Sequence, residues 1–439
     1  MKKAANILLS FLLLGLFGAG VYRVFLSHGD DVIIPVLSPR GGESDSSEEY
    51  LRTRTTADSC REEIARRPDI VGPYTGLTGL FLREARLTGH QTEYTSKALA
   101  VMDECDRRNP GDPRASAARA EILLMMGRFP EAERLASEAL TRDPGSETAR
   151  RVLCQACLEM GNDQAADSLC SSPGSVPLFI CAARVREHRG DFDGARALLT
   201  GAVSSGERTR EERSALLCEL GMMSLEAGMI DTAEALFITV LANLPSDPAG
   251  LSGLALVRQC RRQYQDGASL LGRACERVPV PSCMEQLADL YLAAGQEESA
   301  QASAKIAAAE LLKMEGAGWN VNCEYARLCA NHDLDLPGAL ERGRRESEIR
   351  PANPSVLDAY AWVLYKSGRV KDAVPLIERA VQLRSSSFLL QAHAGAIYAS
   401  AGDEKRAKMA RGRSLELNKF ADAVVLFRKT PVSPVNHQQ

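Results

Sequence analysis

A glycine recurs along most of this chain at a spacing close to 34 residues. It follows one apolar-periodic stretch and precedes the next, and a different residue takes its place at two positions. The successive spacings are 34, 29, 38, 34, 33, 39, 34 and 34 residues, which is typical of an array of helix–turn–helix repeats. Glycine suits the turn between two helices, because a C-cap position favours a left-handed backbone. The recurring positions are Gly127, Gly161, Gly190, Gly228, Arg262, Gly295, Leu334, Gly368 and Gly402.

Small side chains lie at fixed distances from this turn. Alanine stands five residues after it at eight of the nine places, and the residue seven before it is small at eight of nine, Arg327 being the exception. Two antiparallel helices joined by a short turn can approach closely only where their facing side chains are small. The pattern predicts an all-α array of about nine to ten helix pairs without a sheet.

These positions resemble the tetratricopeptide repeat over roughly residues 56–427, most closely in Gly127–Leu140 and Gly368–Ala380. The resemblance implies a right-handed superhelical solenoid whose first helices line a concave groove that binds protein partners. The layout is also similar to bacterial extracytoplasmic proteins built of such repeats from end to end. The resemblance implies no general enzymatic activity. The spacings of 29, 38 and 39 residues depart from the repeat, so the local geometry near them is expected to deviate.

Residues 1–26 carry a compartment signal. Lys2 and Lys3 precede an uncharged stretch, Ala4–Tyr22, whose 19 residues nearly suffice to span a bilayer. An uncleaved signal anchor is favoured, because the small residues Gly18–Gly20 are not an A-x-A site; a cleaved signal peptide remains the alternative. Both predict repeats outside the cytosol, either periplasmic and anchored in the inner membrane of the bacterial cell envelope, or secreted after cleavage.

Three further segments complete the predicted organisation. Residues 27–55 are polar and acidic, which predicts a flexible linker. Residues 56–429 are predicted to form the repeat solenoid, with Thr56–Arg67 as a capping helix, and residues 430–439 a disordered tail. The net charge of −4 excludes a strongly basic nucleic-acid binder.

Twelve cysteines raise the question of a metal or redox site. A C-x-x-C pair, Cys154 and Cys157, is followed by Cys170. The repeat pattern places all three at core positions, where cysteine packs as a small hydrophobic residue, so no metal site is expected. Disulfides are the second interpretation, since the predicted compartment permits them. The candidate disulfides are Cys157–Cys170 and Cys275–Cys283.

The sequence contains no recognisable catalytic motif. Neither a G-x-x-x-x-G-K-[ST] loop nor a strand-to-helix G-x-G-x-x-G is present, and the six histidines are scattered. Two adjacent acid–base pairs, Glu187–His188 and His332–Asp333, fall at helix ends and are expected to be solvated or to cap the helix. We therefore expect no enzymatic activity and no cofactor.

The resemblance also assigns residues to the groove. Trp362 and Tyr365 stand about one helical turn apart, and they either pack between neighbouring first helices or form a peptide-docking spot. The charges predict a groove that is basic at one end and acidic further on, which would orient an extended peptide. The assigned positions are Arg114, Glu121, Arg151, Gln155, Arg184, Glu187, Glu219, Gln259, Asp289, Tyr325, Trp362, Tyr365 and His393.

These features predict a membrane-tethered extracytoplasmic scaffold. Its groove would bind a protein or an extended peptide during envelope assembly or complex biogenesis, and no nucleic acid. The alternatives are an envelope hydrolase or transferase with a helical-repeat shell, and a structural array without a dedicated partner.

Overall fold

The computed structural model describes residues 34–40, 47–205, 208–384 and 386–424. Within these ranges the chain forms 22 α-helices and no β-strand, which confirms the predicted all-α class. The predicted anchor in residues 1–26 and the tail at 430–439 lie outside the described residues. The helices are α1 (Glu48–Arg66), α2 (Val71–Thr88), α3 (Gln91–Arg108), α4 (Pro113–Met125), α5 (Phe129–Arg142), α6 (Glu147–Met160), α7 (Asp163–Cys170), α8 (Val176–His188), α9 (Phe192–Ser204), α10 (Arg210–Glu226), α11 (Ile230–Asn243), α12 (Pro248–Cys260), α13 (Tyr264–Arg277), α14 (Pro281–Ala293), α15 (Glu297–Gly316), α16 (Asn322–His332), α17 (Leu336–Ile349), α18 (Pro354–Lys366), α19 (Val370–Leu383), α20 (Phe388–Ser400), α21 (Glu404–Leu417) and α22 (Ala421–Val424).

Helices α2 to α21 form ten antiparallel pairs, flanked by α1 and α22 in the described part of the chain. The uneven spacings are absorbed by helix length. Helix α7 has only 8 residues, α10 has 17 and α15 has 20, so each insertion or deletion shifts a helix end and leaves the pairing intact.

One predicted turn position is wrong by one residue. The left-handed residue between α16 and α17 is Asp333, with φ of 50°, and not Leu334. Counting seven residues back from Asp333 gives Ala326, which is fully buried. Arg327 is therefore no exception to the small-residue rule, because it belongs to the next position of the helix.

The first helix of most pairs contacts the first helix of the next pair, whereas the second helices make no comparable contacts with one another in the described residues. The first helices consequently lie closer together and form the inner face of a curved array. We call the space inside this curve the lumen.

The array coils far enough for one superhelical turn to touch the next. The Nδ2 amide of Asn418 donates to the carbonyl oxygen of Leu225 at 2.9 Å across a separation of 193 residues, which is between five and six helix pairs. The backbone N–H of Asn320 likewise donates to the carbonyl of Met126 at 2.8 Å. One hydrophobic core runs from residues 57–126 into residues 288–410. We call this line of contact between the two turns the seam.

Asparagine side chains cap helices on both sides of the seam. The Oδ1 atom of Asn353 accepts hydrogen bonds from the backbone N–H groups of Ser355 and Val356 at the start of α18. Its Nδ2 donates at 2.8 Å to the carbonyl of Glu159 near the end of α6, a group that lacks an intrahelical partner. Asn418 bonds in the same two-sided way, through Phe420 and Leu225. An aspartate could make only the first of these bonds, since its carboxylate has no donor.

Residues 34–40 pack against helices α1, α2 and α3. The Arg40 guanidinium donates to Glu84 at 2.8 Å and to Glu49 at 3.0 Å, and the Glu84 side chain is fully buried. The carbonyl of Ser38 accepts hydrogen bonds from two tyrosine hydroxyls. Helix α1 begins at Glu48. Part of the range predicted as a flexible linker is thus structured, because Arg40 neutralises a carboxylate that is out of contact with water.

Among the described residues, no helix has both the length and the apolarity needed to cross a bilayer.

A matched pair of glycine substitutions tests the seam. Gly161 has φ of 79°, and a Cβ there would lie 2.4 Å from the carbonyl oxygen of Ala352 in the second turn. Gly368 has φ of 76° and nothing within 4 Å of its Cβ position. We expect Gly368→Ala to lower the free energy of unfolding by about 1 kcal/mol, the left-handed strain alone. Gly161→Ala should lower the free energy of unfolding by about 2 kcal/mol or more in urea titrations, because the two superhelical turns must also move apart. Equal losses would show that the turns do not touch in solution.

Candidate partner-binding site

A cavity of about 570 Å³ lies where the two superhelical turns meet inside the lumen. The inner faces of α6, α8 and α10 form one wall, and α16, residues 350–356 and Arg384 form the other. Its size lies within the range of about 300–1,000 Å³ that is usual for ligand pockets. Its polar and apolar lining includes Gln155, Leu158, Glu159, Ile180, Arg184, Glu187, Glu219, Met222, Glu226, Glu324, Arg327, Arg350 and Arg384.

Charged side chains on the inner face pair between neighbouring repeats. Arg151 lies 2.7 Å from Glu121, and the Arg184 guanidinium donates to Glu219 at 2.7 Å. Each pair joins the first helices of adjacent repeats, so positive and negative groups alternate along the lumen. Two of the arginines predicted to make one end of the groove basic, Arg151 and Arg184, are therefore neutralised by carboxylates of neighbouring repeats.

The remaining predicted groove residues occupy different environments. Arg114 is exposed at the start of α4 and pairs with Asp112. Asp289 lies 3.1 Å from Nε2 of His332, and burial raises the pKa of the Asp289 carboxyl. Gln155 lines the cavity, whereas Gln259 is buried.

Tyr325 does not face the groove. Its ring is buried, and its hydroxyl donates to Asp335 at 3.0 Å at the start of the paired helix. The error follows from placing the turn at Leu334, one residue too late. With the turn at Asp333, the groove positions of α16 become Glu324 and Arg327, and both line the cavity. Ala326 at the small-residue position was the signal in the sequence that could have corrected the register.

Trp362, Tyr365 and His393 form one stack on the inner face of α18 and α20. The Trp362 ring lies 4.8 Å from Tyr365 and 4.2 Å from His393, centroid to centroid. Its Nε1–H donates to Asn331 at 3.1 Å, and only 4% of the residue is exposed. Of the two interpretations of Trp362, the structure favours packing between neighbouring first helices.

Both acid–base pairs expected at the surface contain a buried member that contacts another part of the array. Glu187 is buried and accepts a hydrogen bond at 2.7 Å from Arg384 of the second turn. Burial, together with the nearby Glu226, raises the pKa of Glu187 to about 7. His332 is fully buried beside Asp289. These groups stabilise contacts between helices and were missed because their partners are distant in sequence.

The cysteines mostly fill the core. Cys275 and Cys283 form a disulfide, whereas Cys157 and Cys170 are free thiols. Cys170 faces Cys154, and Cys157 instead lies 3.8 Å from a carboxylate oxygen of Glu133. Burial raises the pKa of Cys157 to about 12, which keeps the thiol protonated and unreactive. No group of metal-ligating side chains occurs in the described ranges.

Two family models of the tetratricopeptide repeat match the chain, one over residues 123–173 and the other over residues 96–147. A curated relative, cellulose synthase operon protein C of Pseudomonas fluorescens (strain SBW25), is 26% identical over 204 residues. The alignment covers 44% of this chain and 15% of that relative's length.

Solved structures show more distant likeness. The human IFIT1 dimer with m7Gppp-AAAA is 14% identical with a TM-score of 0.44, and the alignment covers 85% of this chain and 87% of that chain. The structure of Naa15/Naa10 bound to HypK-THB is 14% identical with a TM-score of 0.25, over 83% of this chain and 66% of that chain.

Substitution of Trp362 tests its packing role. Trp362→Ala should lower the free energy of unfolding by about 3–5 kcal/mol, because it leaves a large cavity in a stacked cluster. Trp362→Phe keeps a ring in the stack but loses the hydrogen bond to Asn331, so we expect a loss of about 1 kcal/mol from that bond. Urea titration measures both. An unchanged stability of Trp362→Ala, with weakened partner binding, would instead identify Trp362 as a docking residue.

Proposed function

This chain is a tetratricopeptide-repeat protein. We propose that it is a scaffold that binds an extended segment of a protein partner in its lumen. The observation that carries this proposal is the 570 Å³ cavity on the inner face. Repeat arrays act through extended concave surfaces of this kind. Here the concave surface is partly enclosed, since a second superhelical turn supplies the opposite wall.

The chemistry of the inner face suits a polypeptide. Met222 is 38% exposed within a cavity that also contains Arg184 and Glu219. A peptide presents apolar side chains, charged side chains and backbone hydrogen-bonding groups together, and such a mixed surface can contact all three. We therefore assign the lumen a role in binding and not in catalysis.

We further propose that the scaffold belongs to the cell envelope. The uncharged stretch Ala4–Tyr22 supports an inner-membrane anchor with periplasmic repeats, or secretion if this segment is cleaved. The Pseudomonas fluorescens relative is named as a protein of a cellulose synthase operon, which is in keeping with a role in envelope assembly. The disulfide between Cys275 and Cys283 suits an oxidising compartment. Because residues 34–40 pack on helices α1 to α3, an anchor preceding them would hold the repeats close to the membrane.

The alternatives receive less support. A hydrolase or transferase needs an acid–base pair that a substrate can reach. His393 lies 2.8 Å from Asp358, but its ring is stacked on Trp362 and only 6% of the residue is exposed. A structural array without a partner would not need a partly enclosed cavity.

Site-specific photo-crosslinking in intact cells tests the scaffold role. A photoreactive residue at Gln155, which lines the cavity, should capture a defined protein that mass spectrometry identifies reproducibly. The matched control is Ser137, which is exposed on the second helix α5 and should capture little. Equal capture at both positions, or none at Gln155, would refute binding in the lumen.

Fractionation tests the proposed location. If the anchor is retained, the protein should stay on membranes after alkaline washing, and protease added to spheroplasts should degrade the repeats. Protection of the repeats would show the opposite orientation. A mature N-terminus near residue 21 would show that the segment is a cleaved signal peptide.

A further inference from the structure

Every arginine that lines the cavity is already engaged by carboxylates. Arg184 pairs with Glu219, and Arg327 forms a two-pronged contact with Glu285 at 2.9 and 3.0 Å. Arg350 contacts the carboxylates of Glu346 and Glu159. Arg384 contacts those of Glu187 and Glu226. An anionic ligand would therefore have to displace an existing partner.

Carboxylate groups remain available in the same cavity. Glu159 and Glu226 are 42% and 43% exposed, and each shares its arginine with a second, more buried carboxylate. Glu324 is exposed and lines the cavity. Its carboxylate accepts a hydrogen bond from its own backbone N–H, and no arginine or lysine lies within ion-pair distance of it among the described residues. The surrounding helices raise the pKa of Glu324 by desolvation. A cation beside this carboxylate would favour its charged form by electrostatic attraction and so offset the cost of desolvation.

The excess of carboxylates over arginine partners is found at the cavity. At the N-terminal end of the lumen, Arg86 is exposed and lies near Glu121 and Arg151, so the balance there is basic. In the cavity, an unpaired carboxylate and accessible apolar surface, which Met222 provides, line the same space. Lysine and arginine match this combination, because they place an apolar stem against hydrophobic surface and a cationic head beyond it.

We infer that the cavity binds a basic extended polypeptide segment, with a lysine or arginine head group at Glu324 and its stem along Met222. This inference rests on the proposed scaffold function and specifies its partner by charge. Glu324 is then the residue that sets specificity. The exposed arginines of the cavity, Arg184 and Arg327, are already paired with carboxylates, whereas Glu324 lacks an arginine partner in the described part of the chain.

Fluorescence anisotropy with the purified full chain tests the inference. The probe is a fluorescein-labelled peptide of alternating lysine and alanine, and the matched probe replaces lysine with glutamate. We expect the basic peptide to bind and the acidic one not to bind. Glu324→Gln should weaken binding by about tenfold, the usual loss for one enclosed charged hydrogen bond. The control Glu276→Gln removes an exposed carboxylate on α13 and should leave affinity unchanged.

The inference is overturned if the basic peptide does not bind, if the acidic peptide binds equally well, or if Glu324→Gln and Glu276→Gln have equal effects. Full displacement of the peptide by an equal concentration of spermidine would also overturn it, since the site would then take a free polyamine. Thermal unfolding of each variant verifies that the fold is retained. Capture at Gln155 without binding of the basic peptide would refute this inference alone, whereas failure of both would refute the scaffold function as well.

Discussion

Contact between successive turns is the constraint on which the rest of this structure depends. An open array of ten helix pairs would leave its inner face in contact with bulk water along its whole length. Here the backbone N–H of Asn320 bonds to Met126 at the end of an earlier first helix, and Asn353 and Asn418 cap two others. These contacts fix the pitch of the superhelix. The pitch in turn creates the partly enclosed cavity, because the two walls of the cavity belong to different superhelical turns.

The seam uses chemistry different from that inside each repeat. Within a pair, the helices approach through alanine, as at Ala132 and Ala373, both fully buried. Across the seam, many contacts are hydrogen bonds and ion pairs, such as Arg350 with Glu159. A helix end leaves carbonyl groups without intrahelical partners, so polar side chains are the natural complement where helix ends meet. The turn of each pair also has to be narrow at the seam, which is why Gly161 admits the backbone of Ala352.

Charge on the inner face is balanced locally, with one departure. Pairs such as Arg151 with Glu121 join neighbouring repeats, and each member neutralises the charge of the other. In the cavity, arginines from both turns are shared among a larger number of carboxylates, and Glu324 is left over. The same residue types therefore serve both purposes. A carboxylate that is paired with a guanidinium stabilises the fold, and a carboxylate without such a partner is the one we propose for recognition.

The sequence alone determined the repeat architecture, because helix pairing is a local matter of period, turn glycines and small facing residues. It predicted about nine to ten pairs, and the described residues form ten. It made one register error, where Asp333 takes the left-handed position usually held by glycine. It could place Gln155 and Arg184 on the inner face, since position within a repeat decides which way a first helix points. Only the tertiary structure decided what those side chains meet. Partners such as Arg384 for Glu187 lie 197 residues away, and their meeting depends on the superhelical pitch, a sum of small rotations over several repeats that no local pattern records.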